Sequence, residues 1–435
     1  MPAPEPRPPG PPSGRLRHAP AQLWSLVRLL RDPLGTVGDR FARYGATYYV
    51  HEGGEGHLLV SCDPAVVREV LVEHPTHWQK RGGANDNLVP ILGDGLLTAD
   101  GEAWKQARRK LQPGFRASAI AGYARRMVDE AAAIDWPEGT SVDVSAEMMA
   151  LTLRIVCACL FDHDIRGSIA TVGATMDALH DAVAAPPLPE WLPTPWRRRR
   201  RKAVAKIEAL LEAMIAQRRA GPAGDDLLSM LLQAGFDDRG VRDQLITLFL
   251  AGHETTSHAL SWTWWLLAHH PEALDALHRE VDALPSPPDA TTPLPFTDAV
   301  VNEALRLYPP AYALPRVARC DTTVGPYTVS EGTQVVLWLW HAHRDPAAFD
   351  DPDAFRPDRF ADGTRPPASF LPFGAGTRMC IGAGFARLEL RLLLATLARR
   401  YRLRAVEGHE VRPMARVTLS PHGGLPMQVE RRGGR

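Results

Sequence analysis

The period of the apolar positions changes along the chain. Near the N-terminus, "LWSLVRLLRDPLGTVGDRFARYG" carries apolar residues at helical spacing and predicts short helices. "ATYYV" and "HLLVSC" then flank "HEGGEG", two apolar runs about a glycine turn, which predicts a β-hairpin. From about residue 100 to 280 the period is helical almost throughout, with breaks at the proline-rich 186–196 and at 218–226. A second β-rich portion follows "LRLYPP", where "GPYTVSEGTQVVLWLW" reads as a hairpin. "PSPPDATTPLP" and "DGTRPPA" read as surface connections, and no internal repeat is visible. The predicted fold class is mainly α with small β-sheets (α+β). It has a disordered, proline-rich head at 1–20, which holds eight prolines, and a single large helical domain at 21–435.

Two segments break local rules. Residues 238–270 form one long helical pattern, stopped by Pro271 and apolar on most sides, which predicts a helix through the core. Its middle, "AGHETTS", is poor helix material, since glycine costs about 1 kcal/mol against alanine and the threonines are β-branched. Glu254 and Thr255 stand side by side there, an acid and a hydroxyl that can relay protons into a buried cavity. The alternative is a plain core helix whose threonines bond back to their own carbonyls. The spacing argues against a metal shared by His253 and His258, because five residues turn them about 140° apart. The second segment, "NEALRLYPP", puts Glu303 and Arg306 on one helix face among apolar neighbours, a candidate buried pair with Arg359 as its third member.

Composition narrows the class. Apolar residues make up 45% and charged residues 23%, an ordinary globular balance; 50 basic and 50 acidic residues argue against a nucleic-acid partner. The five cysteines are too scattered for a disulfide framework, which points to a reducing, cytoplasmic setting. No signal peptide and no membrane anchor is expected. "WRRRRRK" reads as a solvated helix start, and Cys157 and Cys159 in "LRIVCACLF" read as core.

Five patterns then occur in one order. They are Trp104 and Arg108 (W-x-x-x-R); Ala251, Gly252, Glu254, Thr255 and Thr256 (A-G-x-[DE]-T-[TS]); and Glu303 and Arg306 (E-x-x-R). Next come Phe355, Pro357, Arg359 and Phe360 (F-x-P-x-R-F), and last Phe373, Gly376, Arg378, Cys380 and Gly382 (F-x-x-G-x-R-x-C-x-G). Together they resemble the cytochrome P450 family of haem-thiolate monooxygenases, over nearly the whole chain beyond the head. The resemblance implies haem b with Cys380 as the axial thiolate on iron, stabilised by N–H groups at the start of the following helix. It implies Arg378, Arg108, Trp104 and Arg316 as partners of the haem propionates. Phe373 and glycines 374, 376 and 382 would border the macrocycle, with Ala251 and Gly252 leaving room above it. Thr255 is implied as hydrogen-bond partner of the dioxygen and Glu254 as proton donor. The Glu303–Arg306–Arg359 group is implied as a structural lock, and His343 resembles a recurring family residue without a ligand role.

The resulting expectation is a monooxygenase that inserts one oxygen atom from O2 into a C–H bond of an apolar small molecule. Electrons would come from separate chains, a ferredoxin and a ferredoxin reductase, docking on a basic face that includes Arg108, Arg109, Lys110 and Arg387. A haem sensor without turnover, an isomerase and a peroxygenase are the alternatives, disfavoured by the intact Glu254–Thr255 pair. The segments expected to meet substrate, including "QKRGGANDNLVPILGDG" and "VTLSPHGGLPM", are apolar. Carotenoids or other terpenoids are the first candidates, and fatty acids are the alternative, with Arg316 and Arg319 as possible anchors.

Overall fold

The computed structural model describes residues 8–11, 27–51, 57–183, 194–222, 224, 226–361 and 366–433. Most of the expected disordered head, and most of the break at 186–196, lie outside the described residues. Within the head, the Pro9 carbonyl accepts a hydrogen bond from the Tyr49 amide at 3.0 Å.

The long helix is present as Asp238–His269, 32 residues, with the Asp237 carboxylate capping it through the Gly240 amide. It runs through the core against the helix Val144–Leu160. Gly252 permits that contact, since a β-carbon there would press on the Val156 side chain at 3.2 Å. The two threonine hydroxyls of that stretch are satisfied within the helix, Thr255 donating to the Ala251 carbonyl at 2.9 Å and Thr256 to Gly252 at 3.3 Å, and Ser261 and Thr263 likewise donate to Ser257 and Ala259, each at 2.7 Å. The hydrogen bonds match the reading of a core helix whose hydroxyls bond back to its own carbonyls.

The first hairpin forms as expected, Thr47–His51 antiparallel to His57–Ser61. The second does not. Tyr327–Val329 pairs with Thr322–Val324, whereas Gln334–Leu337 enters the five-stranded sheet, parallel to His57–Ser61 and antiparallel to Leu314–Ala318. The reason is burial: Val335 and Leu337 are fully covered in the centre of that sheet, where a second partner strand on each side satisfies the backbone. The chain after Leu307 thus returns to the N-terminal hairpin and builds one wall. Opposite it, the helix Ala383–Arg400 packs on Ala117–Ala132 and on the central helix. Cys157 and Cys159 are core residues. Burial pushes both thiols up, that of Cys157 to about 12, so they stay neutral. Among the described residues no helix is long and apolar enough to cross a membrane.

Glu389, in the middle of Ala383–Arg400, is fully buried, and neither carboxylate oxygen has a hydrogen-bond partner among the described residues. Burial holds its carboxyl well above the ordinary 4.5, with the nearby Thr256 hydroxyl opposing. The folded protein therefore keeps a proton that the unfolded chain releases, so this group costs stability increasingly as pH rises above the ordinary carboxylate value. Glu389→Gln should gain on the wild type in urea unfolding between pH 4.5 and pH 7.5, by up to about 1.4 kcal/mol per pH unit. A difference between the two proteins that does not change with pH would show that Glu389 is charged in the fold.

Candidate active site

The loop carrying Cys380 is fixed by a chain of contacts that begins at the ion pair. Glu303 and Arg306 lie on the helix Pro295–Leu307, both completely buried, and meet in a two-pronged contact: Arg306 Nε donates to Glu303 Oε2 and Nη2 to Oε1, each at 2.8 Å. Arg306 also donates to the carbonyls of His343, Pro352 and Ala354 at 2.9, 2.6 and 3.0 Å. Arg359 completes the group by donating to Glu303 Oε1 at 3.2 Å. His343 is buried, and desolvation pushes its imidazole down to about 3, so it is neutral. Its Nε2 accepts from the Leu371 amide at 3.0 Å. The Leu371 carbonyl in turn accepts from Gly374, and the Phe373 carbonyl from the Cys380 amide at 3.0 Å.

Glycines serve this loop for different reasons. Gly374 has φ +70°, a left-handed turn open to glycine at no cost. Gly376 also has positive φ, but what it accommodates is backbone: a β-carbon there would lie 1.8 Å from the Leu71 carbonyl oxygen. The expectation that Gly376 clears space for a macrocycle is corrected accordingly. Gly382, at the start of the helix Ala383–Arg400, lends its amide to the Cys380 sulfur.

Cys380 is enclosed by protein yet open to a cavity of about 1770 Å³. Burial raises its thiol, while the Gly382 amide and the Arg108 and Lys80 cations pull the other way, favouring thiolate. On one side of the cavity stands a cluster of cations, Lys80, Arg316 and Arg378, with the Asp100 carboxylate among them. Arg378 donates to Asp100 and, at 2.8 Å, to the Ala99 carbonyl. The other Asp100 oxygen accepts the amides of Lys80 and Arg81 at 2.7 and 2.9 Å. Burial, then repulsion from Arg316 and Arg378, pushes the Lys80 amine down to about 7; burial lowers Arg316 and Arg378 to about 10. Trp104 meets this cluster with its ring face, 4.0 Å from the Arg378 guanidinium carbon. Arg108 points to the loop instead, donating to the Met379 carbonyl at 2.8 Å. A flat group bearing anions at one edge and taking an axial sulfur fits these residues: mutually repelling buried cations need anions.

Across the cavity lies the central helix. Ala251 is exposed in the middle of this otherwise buried helix because there it borders the cavity, and Gly252, Glu254 and Thr255 border it too. The Thr255 hydroxyl stands half-buried at that wall, and the Glu254 carboxylate accepts from Thr418, which also borders the cavity from the turn before the strand Leu419–Pro421. The remaining wall is apolar, with Leu88, Ile91, Leu92, Leu248 and Met414. The fold thus brings together Cys380, Phe373, Gly374, Gly382, Arg378, Trp104, Arg108, Arg316, Ala251, Gly252, Glu254 and Thr255. Sequence reasoning missed Lys80, Asp100 and Thr418. A lysine or aspartate in a loop carries no spacing signal; only "QKR" before a glycine pair hinted at a buried turn. His253 and His258 diverge as expected, and among the described residues no cluster of metal-ligating side chains forms.

The family model described as Cytochrome P450 matches residues 21–425. The chain is 36% identical over 405 residues to "Cyclooctatin synthase" of Streptomyces melanosporofaciens, covering 87% of each chain. It is 32% identical over 387 residues to "Pentalenene oxygenase" of Streptomyces avermitilis, covering 84% of this chain and 86% of that one. Among solved structures it resembles CYP175A1 from Thermus thermophilus, with 30% identity, a TM-score of 0.79 and coverage of 95% and 98%. The cytochrome P450DA heme domain gives 27% identity, a TM-score of 0.81 and coverage of 99% and 98%.

If the cation cluster is the seat of bound anions, Lys80→Met should release haem to apomyoglobin about tenfold faster than the wild type, the equivalent of one charge-assisted hydrogen bond. Arg125→Met, on a largely solvated side chain, should leave the rate unchanged. Haem loss at the wild-type rate in Lys80→Met would remove Lys80 from the site.

Proposed function

The chain belongs to the cytochrome P450 family of monooxygenases, and on that premise we propose that it hydroxylates an apolar terpenoid, with Cys380 as the haem ligand and Thr255 and Glu254 as the proton-handling pair. Members of the family use a cysteine-ligated haem, O2 and redox partners. When bound, the haem supplies the oxidation of the C–H bond by dioxygen. The residues of this chain supply the rest. Cys380 offers sulfur, whose thiolate the Gly382 amide and the Arg108 and Lys80 cations favour against the effect of burial. Lys80, Arg316 and Arg378 would hold the haem propionates at the edge of the cavity where these cations cluster. Thr255 holds a proton at Oγ1 at the cavity wall, and Glu254 replaces it from the carboxyl one residue away. The Glu303–Arg306–Arg359 group takes no part in proton transfer; it positions the loop.

The observation that carries the substrate class is the apolar wall over the central helix, continuous with the space above Cys380. Such a wall binds by excluding water from greasy surface rather than by fixed charge. The names of the two Streptomyces relatives, both terpenoid-modifying enzymes, support the same class. Fatty acids receive no support from the two arginines that suggested them. Arg316 sits in the cation cluster beside Arg378, and Arg319 is exposed and is not part of the cavity lining. The proposal includes a cytoplasmic enzyme served by a separate ferredoxin and reductase, docking over Arg108, Lys110 and the exposed Arg387.

With haem, ferredoxin, reductase and NAD(P)H, the chain should convert a terpenoid to a hydroxylated product in step with NAD(P)H oxidation. Thr255→Ala should cut product per NAD(P)H by about ten- to a hundredfold, since a positioned proton donor is worth roughly a hundredfold or more. Equal product formation from hydrogen peroxide alone would identify a peroxygenase instead.

A further inference from the structure

Thr418 and His258 have no role in the account so far, yet they sit on the acid it depends on. Glu254 and His258 are one turn apart on the same face of the central helix, both about 4% exposed. Thr418, 8% exposed, reaches between them from a segment more than a hundred and fifty residues away in sequence. Its hydroxyl donates to Glu254 Oε1 and lies 3.1 Å from His258 Nδ1. The backbone around it is pinned. The Thr418 carbonyl accepts from Arg416, the Leu419 amide donates to Pro310 at 3.0 Å, and the Trp262 indole donates to the Leu419 carbonyl at 3.0 Å.

Donor arithmetic orders the three groups. A threonine hydroxyl carries one hydrogen. With that hydrogen given to Glu254, the oxygen presents lone pairs to the imidazole, so Nδ1–H donates to Oγ1 and Oγ1–H donates to Oε1. This is a continuous donor chain ending on the carboxylate. The Thr255 hydroxyl, by contrast, has its hydrogen on the Ala251 carbonyl. A packed trio of aliphatic side chains would fill the same space without the cost of burying an acid and an imidazole.

We propose that His258 and Thr418 are the supply line of Glu254, restoring its proton after each delivery to the cavity. The step balances within the chain. A solvent proton adds at His258 Nε2 as the Nδ1 proton passes to Thr418 Oγ1 and the Thr418 hydroxyl proton passes to Glu254 Oε1. The result is a neutral carboxylic acid and a neutral imidazole protonated at Nε2, which returns through exchange with water to the Nδ1–H form before the next delivery. Thr418 and His258 are positioning residues in this scheme, because they act through Glu254 and touch neither substrate nor cofactor. The inference rests on the reading of Glu254 as proton donor.

The test uses the haem-loaded full chain with ferredoxin, reductase and NAD(P)H, and geranylgeraniol as the probe that draws turnover. Thr418→Val and His258→Gln should each raise hydrogen peroxide released per NAD(P)H about tenfold, toward the level of Glu254→Gln. Thr418→Ser should restore the wild-type ratio. Thr418→Val combined with Glu254→Gln should be no worse than Glu254→Gln alone, as expected for residues acting through one group. In the infrared spectrum of the ferric holoenzyme, without turnover, the carboxyl band that disappears in Glu254→Gln should shift in Thr418→Val and return in Thr418→Ser. Thr418→Ala serves the same purpose should the valine variant fail to fold. Wild-type peroxide ratios in the Thr418 and His258 variants, beside strong uncoupling in Glu254→Gln, would overturn the supply line and leave Glu254 in place. Unchanged coupling in Glu254→Gln itself would overturn the reading of Glu254.

Discussion

Glu303 and Arg306 are paired twice over in an interior that water does not reach, and the geometry of the site descends from that pairing. An arginine so buried survives only if each of its donors finds an acceptor. Here the acceptors left over after Glu303 are backbone carbonyls of His343, Pro352 and Ala354, which belong to a stretch with little regular structure of its own. The ion pair therefore gives shape to a segment that secondary structure does not. From His343 the constraint passes through a neutral imidazole to the Leu371 amide and on to the turn that ends at Cys380. Losing either charge would leave its partner unpaired, at a cost of about 3–5 kcal/mol. The loss would be felt at the cysteine, some seventy residues further along the chain.

What the fixed loop faces is an electrostatic imbalance. Lys80, Arg316 and Arg378 share one edge of the cavity with the Asp100 carboxylate, and burial weakens all three cations. A dianionic edge would relieve that repulsion, and the sulfur of Cys380 faces the same space. The cofactor of the family supplies both an anionic edge and an electrophilic metal, so binding completes an arrangement whose charges are already placed. The opposite wall is set by packing: Gly252 lets the central helix close on Val156, and Ala251 leaves the cavity open at the same level.

Much of this was legible in the chain. The long helix, the buried pair and the cysteine loop each announce themselves through spacing, because helix faces and tight turns are local and periodic. The elements that escaped are those whose partners are remote. Gln334–Leu337 looked like half of a hairpin, since its neighbour in sequence was a plausible strand; two other strands won because they pair with both of its edges while Val335 and Leu337 are buried. Gly376 looked like clearance for a ligand, whereas it makes room for the Leu71 carbonyl, a contact that no spacing encodes. Lys80 and Asp100 lie in a loop whose composition resembles any surface turn, and their burial exists only once the sheet and the helix Gly101–Leu111 converge. Thr418 was read as part of a substrate segment; its hold on Glu254 depends on the register of the C-terminal strands.

The central claim is that Cys380 ligates the haem through an anionic sulfur. The absorption spectrum of the reduced, CO-bound holoprotein tests it most directly. A strongly red-shifted Soret band in the wild type, replaced in Cys380→Ala by the band of a haem without thiolate, is the predicted result. Retention of the red-shifted band in Cys380→Ala would contradict the account.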